Sequence, residues 1–248
     1  MRWFQYWVLP LALLALWTLA SHAGSIPQIL LPTPEAVLAA FWSLASDGSL
    51  VHHIWASACR SLTGFALSAT LGVALGLLFA NHQAAHRTGY LLMEAIRVTP
   101  PLSLIPLLIL WLGIDEAPKI AIVFLSSFFP IYMNALTAIR NVDAKLREAG
   151  ELLGFSAWEQ FRYLTLPASL PGILTGLRLG FGYSWRALVG AELIAASSGL
   201  GFLISESAEF AKTDTVFVGI FTIAVLGVIA DCLLSLCFKA ASRRVGLR

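Results

Sequence analysis

Glu148-Ala149-Gly150-Glu151-Leu152-Leu153-Gly154-Phe155-Ser156-Ala157-Trp158-Glu159-Gln160-Phe161-Arg162-Tyr163-Leu164-Thr165-Leu166-Pro167 is the stretch that decides the fold. It is a polar island between two apolar blocks, Ile120 to Ile139 before it and Leu170 to Ala196 after it. Asp143 can cap a helix that runs through Leu146, Ala149, Leu152 and Leu153. Gly154 ends that helix by admitting a left-handed residue, and Ser156 can cap a second helix. The spacing therefore predicts a short helix, a sharp turn and another helix, with small Ala149 and Gly150 near the bend. Leu152, Leu153 and Phe155 offer a partner something apolar to bury. Leu166-Pro167 then starts the chain back into apolar sequence.

Outward from this island the composition is that of a membrane protein. Of the 248 residues, 58% are hydrophobic and 12% charged, and the mean hydropathy is +0.80. A soluble surface needs about a quarter of its residues charged. The apolar residues come in blocks of roughly 20, the length of helix that crosses about 30 Å of hydrocarbon. Lipid admits only helices or closed barrels, and the blocks lack the alternation of barrel strands. The expectation is an all-α, polytopic chain with six spans: Trp7 to Ala23, Ile54 to Ala80, Thr88 to Gly113, Ile120 to Ile139, Leu170 to Ala196 and Thr215 to Phe238. The first span has a rival reading as a signal peptide, with Arg2 ahead of the apolar run and Ser21-His22-Ala23 as a cleavage-like site. Its length, with Trp and Pro inside, favours an uncleaved helix.

Lys and Arg placement orients the chain. With a cytoplasmic N-terminus, Arg2, Arg87, Arg140, Lys145, Arg147, Arg162, Lys239, Arg243, Arg244 and Arg248 fall inside, and only Lys119 and Lys212 fall outside. This puts the polar island and both termini in the cytoplasm. Thr33-Pro34-Glu35 starts a helix on the outer side, with Val37, Leu38, Phe41, Trp42 and Leu44 at helical spacing. It suits an interfacial helix or a packed loop helix equally. The domain division read from the chain is 1–30 for the first helix and outer linker, 31–50 for the outer helix, 51–242 for a core containing the loop 141–167, and 243–248 for a basic tail.

The island reads E-A-G, three residues, Gly, nine residues, L-x-L-P. It resembles the coupling loop of permease subunits in bacterial ATP-driven (ABC) importers of type I, whose common form is E-A-A, three residues, Gly, nine residues, I-x-L-P. Leu30 to Pro34, Phe128 to Tyr132, Leu174 to Leu179 and Ala191 to Gly201 look like the nitrate/sulfonate/taurine branch, and the similarity covers most of residues 30 to 245. The resemblance implies that Glu148, Ala149, Gly150, Leu153, Gly154, Leu166 and Pro167 dock an ATP-binding-cassette ATPase. It also implies a place in the bacterial inner membrane, a periplasmic or lipid-anchored substrate-binding protein, a second copy of the chain and a small, anionic cargo of the sulfonate, taurine, nitrate or bicarbonate class. ATP and magnesium would sit on the ATPase, with no cofactor in this chain. In keeping with that, no phosphate-cradling G-x-x-x-x-G-K-[ST], G-x-S-x-G or H-E-x-x-H motif occurs, so neither ATP hydrolysis nor another enzyme chemistry is expected here. No basic run interleaved with aromatics points to nucleic acid.

Inside the spans, Gly64, Ser68, Gly72 and Gly76 stand four apart, as do Gly172, Gly176 and Gly180. Such stripes signal close helix packing. Pro100, Pro101 and Pro106 interrupt the third span near Ser103, which suits either a pathway lining or a structural kink. Charges within spans are costly and default to functional hypotheses. Glu94 and Arg97 suit a local ion pair. Arg178 suits snorkelling to the surface, and Arg60 and Asp231 suit partners on neighbouring helices. Arg186 and Glu192, near Ser184, are candidate pathway residues, and they equally suit a structural pair. Cys59, Cys232 and Cys237 read as small buried hydrophobes. His52-His53 and the pair His82 and His86 lack supporting metal ligands. The rival functions are an ion-gradient transporter using Glu192 or Asp231, and a membrane enzyme, for which no His or carboxylate cluster is evident.

Overall fold

Helix is the only regular structure among the described residues, as lipid demands of a backbone that must satisfy its own polar groups. The computed structural model describes the backbone of residues 2–24 and 26–244 and the side chains of residues 7–24 and 26–240. Residues 245–248 of the expected basic tail, Arg248 included, lie outside the described residues. The order is α1 (Arg2–His22), α2 (Pro34–Ser46), α3 (Ser49–Asn81), α4 (Gln83–Val98), a 3-10 turn (Pro101–Leu104), α5 (Ile105–Leu112) and α6 (Glu116–Arg140). Then come α7 (Ala144–Leu152), α8 (Ala157–Gln160), a π-helical turn (Phe161–Thr165), α9 (Leu166–Ala195), α10 (Leu200–Glu209) and α11 (Thr213–Arg244).

Helices α3, α6 and α11 are long and apolar enough to cross a membrane, and two bent pairs, α4 with α5 and residues 157–195 with α10, would raise the number to five. Trp7–His22 is a shorter apolar helix. The expected third span is therefore not one straight helix: its halves meet at 87°. Consecutive prolines are the cause. A residue before proline is driven out of the helical region, and both Thr99 (ψ 122°) and Pro100 (ψ 122°) are extended.

The chain forms two compact units, Met1–Ser57 with Glu192–Val225 and Ala58–Ala191 with Leu226–Arg248. In the first, Thr33 caps α2 through Ala36 N (3.3 Å), as its sequence predicts. Trp17 of α1 stacks on Phe217 of α11 at 5.5 Å and donates to Pro32 O at 3.0 Å. The start of α10 is held by a buried carboxylate. Glu192 accepts from Gly201 N (3.0 Å) and from Ser57 Oγ (2.8 Å), while Ser57 Oγ accepts from Leu200 N (2.8 Å). An acid at a helix N-terminus meets the orphan N–H groups and the positive end of the dipole. Gly199 has φ +114°, and a Cβ there would fall on the Glu192 carboxylate, so nothing larger fits.

In the second unit both glycine stripes close on α6. Built on Gly72, a Cβ would lie 3.0 Å from Ile131 Cγ2, and on Gly180 it would lie 2.5 Å from Ile131 Cγ1. Gly76 and Gly172 meet Ala135 and Ala138 in the same way. Fully buried Ile131 is thus gripped by α3 and α9 together. Ser68 Oγ and Ser127 Oγ, 2.7 Å apart, join α3 to α6 by a hydrogen bond in the middle of this contact. Cys59, Cys232 and Cys237 are exposed rather than buried, because they lie on helix faces that carry no packing within the chain. Gly180→Leu is expected to cost about 1–3 kcal/mol by overpacking against Ile131. Thermal unfolding of the detergent-purified protein checks this: the variant should melt several degrees lower. Exposed Val225→Leu should melt like the parent, and parental melting of Gly180→Leu would refute the contact.

Candidate functional site

The island folds into a doubly locked elbow. Asp143 Oδ1 accepts from Lys145 N at 2.9 Å and starts α7. At the other end Phe155 N donates to Gly150 O (3.0 Å) and Gly154 N to Glu151 O (3.0 Å), with Gly154 at φ +73°. These are the two bonds of a Schellman stop, which fills two carbonyls of the last turn from residues beyond the helix. Ser156 and Glu159 then close a capping box on α8: Glu159 N donates to Ser156 Oγ (3.3 Å) and Ser156 N to Glu159 Oε2 (2.8 Å). Gln160 Nε2 donates to Arg147 O at 3.3 Å, tying α8 back to α7. The π-helical turn follows directly and runs into α9, so the elbow continues without a loop into a long helix.

The elbow's surface is apolar where water would favour polar groups. Leu152 is 90% exposed, Leu153 71% and Trp158 68%. Glu148, Ala149 and Gly154 are exposed beside them, and Leu166 and Pro167 are half-buried where the chain enters α9. Gly150 is placed differently from its expected part in a docking surface. It is buried, because α7 crosses the following segment closely: a Cβ on it would stand 2.7 Å from Leu164 Cδ1 and 3.1 Å from Gln160 Cγ.

A second feature of the same unit is a cleft of about 610 Å³ between the proline turn, α6 and α9. Pro101 and Arg186 line it, together with Arg97, Ser126, Asn134 and Tyr183. Arg186 donates to Gly182 O (3.1 Å), and its guanidinium lies over the Tyr183 ring at 5.4 Å. Of the other residues marked by the sequence, Ser103 donates to Pro100 O (2.7 Å), which braces the turn, and fully buried Ser184 donates to Phe181 O (2.7 Å). Glu192 belongs to the other unit and is engaged there as the α10 cap. Sequence reasoning missed Ser126, Asn134 and Tyr183. Their positions carry no motif, and they meet only because α6 and α9 pack along the glycine stripe.

The family described as binding-protein-dependent transport system inner membrane component matches residues 69–242. The chain belongs to this family. The permease is 42% identical over 225 residues to the Escherichia coli (strain K12) protein SsuC, named for transport of aliphatic sulfonates, covering 91% of this chain and 86% of that one. It is 34% identical to the E. coli taurine transport system permease TauC (94% and 85% covered). It is 28% identical to the nitrate import permease NrtB of Synechocystis sp. (85% and 77%). These relatives place it in the nitrate/sulfonate/taurine branch of ABC importer permeases, and they are transport subunits rather than enzymes. Its fold is that of the permease chain in the inward-facing MetNI methionine ABC transporter, at a TM-score of 0.65 and 20% identity over 79% of this chain and 95% of that one.

The permease departs from the common form of the coupling loop at Gly150, where Ala is usual, and at Leu164, where Ile is usual. The structure brings these two positions into contact. The unbranched Cβ of leucine reaches its Cδ1 into the space an alanine methyl would fill, so each departure accommodates the other. Gly150→Ala alone is expected to destabilise the elbow by about 1–3 kcal/mol. Adding Leu164→Ile should recover part of that loss, a coupling of about 0.5–3 kcal/mol in a double-mutant cycle. The readout is protease susceptibility of the 141–167 segment, and strictly additive effects would exclude the compensation.

Proposed function

We propose that this permease moves a small anionic solute of the sulfonate, taurine or nitrate class. A substrate-binding protein delivers the solute, and a separate ATPase docked on the Glu148–Pro167 elbow supplies the work. Two copies of the chain form the pathway, with the elbow and both termini on the cytoplasmic side of the inner membrane. The observation that carries the reading is the pair Leu152 and Leu153, almost wholly exposed on a segment whose backbone is fixed at both ends. Exposed leucines on a rigid elbow have no reason to be there in water, and burying each against a partner returns about 1.5–3 kcal/mol.

Glu148 is suited to pair with a basic residue of the ATPase. ATP and magnesium belong to that subunit, whose closure would push the elbow. Because the elbow runs straight into α9, a displacement there reaches the helix that grips α6. The rival ion-gradient transporter is not favoured. Asp231 is held by Arg178 (2.6 Å and 2.9 Å), and Glu192 is consumed in capping α10.

Gly154→Arg places a side chain at a left-handed position and projects it at the partner. Leu153→Asp leaves the backbone alone and removes the apolar contact. Both variants are expected to insert normally, to lose the ATPase on purification, and to reduce uptake of radiolabelled taurine or ethanesulfonate by at least ten-fold. Uptake at the parental rate by both would overturn the docking site.

A further inference from the structure

The arginines within the apolar spans of the second unit are neutralised in a pattern with one gap. Arg60, buried, makes a bidentate pair with Glu116 (2.8 Å from Nη2, with Nε also donating), and Lys119 adds a third contact at 3.1 Å. Arg97 pairs with Glu94 at 2.7 Å and Arg178 with Asp231 at 2.6 Å. Arg186 has no carboxylate within ion-pair distance among the described residues. Its contacts are a carbonyl and the face of an aromatic ring, both of which fix a guanidinium in direction without cancelling its charge. Moreover, among the described residues no acidic side chain lines the cleft that it faces, and Ser126 and Asn134 there add neutral polar groups to a lining that includes Phe129.

We infer that Arg186 makes this cleft an anion-selecting site within the permease itself, taking a small oxyanion such as a sulfonate or nitrate. Selection would then not rest on the delivering protein alone. The inference deepens the proposed function and rests on it for the identity of the cargo. A planar guanidinium matches two oxygens of a sulfonate or nitrate at once, which a lysine cannot reproduce. Arg186 is exposed, so its charge reaches a solute entering the cleft, and the apolar side chains beside it screen that charge less than bulk water does. Tyr183 orients Arg186, Ser126 adds a hydroxyl to the lining, and Asn134 Nδ2, which donates to Pro130 O (2.8 Å), keeps a second N–H. Arg97, already committed to Glu94, contributes little net field.

The test reads charge selection without knowledge of the cargo. In the assembled transporter, carried in phosphatidylcholine nanodiscs, Cys59, Cys232 and Cys237 are replaced by Ala and a single thiol is introduced by Ser126→Cys. The rates of reaction with the anionic sulfonatoethyl and the cationic trimethylammonioethyl methanethiosulfonates are then measured. Any effect of Arg186 on the ionisation of the thiol changes both rates equally, so their ratio isolates the attraction for the reagent. Arg186→Gln is expected to lower the anion-to-cation rate ratio about ten-fold, and Arg186→Lys to leave most of it. An unchanged ratio, or an introduced thiol that neither reagent reaches, would overturn the inference. Uptake of ethanesulfonate separates the two claims. A ten-fold shift in the ratio with no ethanesulfonate, taurine or nitrate uptake by the parent supports the anion site and counts against the proposed cargo. Parental uptake by Arg186→Gln counts against the site and leaves the cargo assignment standing.

Discussion

The grip of two glycine stripes on α6 is the constraint on which the rest of the second unit depends. In lipid no hydrophobic effect presses helices together, so association relies on close van der Waals contact and a few hydrogen bonds. Here Gly72 and Gly180 reach Ile131, and Ser68 reaches Ser127. Removing the Cβ atoms from α3 and α9 at these heights brings three backbones within reach of one another. Everything else in the unit is placed by that contact: the proline turn, the cleft beside α6, and the direction in which α9 leaves the elbow.

The elbow and the grip are consecutive parts of one mechanical element. The Schellman stop at Gly154 and the capping box at Ser156 satisfy the backbone groups that a short helix pair would otherwise leave to water. A fully satisfied turn resists bending, so a push on Leu152 or Leu153 is passed on rather than absorbed. The π-helical turn at Phe161–Thr165 sits where that push would enter α9. Beyond it Gly172, Gly176 and Gly180 lie in close contact with Ala138, Asn134 and Ile131, so a push entering α9 would be carried to α6.

What was legible in the sequence was what is decided locally. Thr33, Asp143, Ser156 and Gly154 could be read as caps and a stop because each acts on backbone groups within a few residues. The proline break was visible, but its 87° bend was not, since the angle depends on two successive extended residues and on what α5 packs against. Arg178 read as a snorkelling side chain because its partner, Asp231, is 53 residues away and nothing along the chain pairs them. Gly150 read as part of an outer surface because a small residue looks the same whether it admits a partner or a neighbouring leucine. Glu192 is the clearest case of two readings from one residue. A carboxylate in an apolar span suggests a proton or substrate site, yet Gly199, Leu200 and Gly201 follow it in the chain so that the carboxylate can turn back and cap α10.

Charge in an apolar span costs enough that its neutralisation is diagnostic. Of the four arginines within the second unit's apolar spans, Arg60, Arg97 and Arg178 are matched by Glu116, Glu94 and Asp231, and Arg186 is not. If the helices needed only polar glue, Arg186 would be the easiest of these charges to lose, since no ion pair breaks with it. Its stem nevertheless carries a full charge over the Tyr183 ring, into a cleft with no acid on its walls. A structural arginine lowers its cost by pairing. An anion-selecting site accounts for one that does not, since an oxyanion in transit would supply for a moment the counter-charge that the fold withholds.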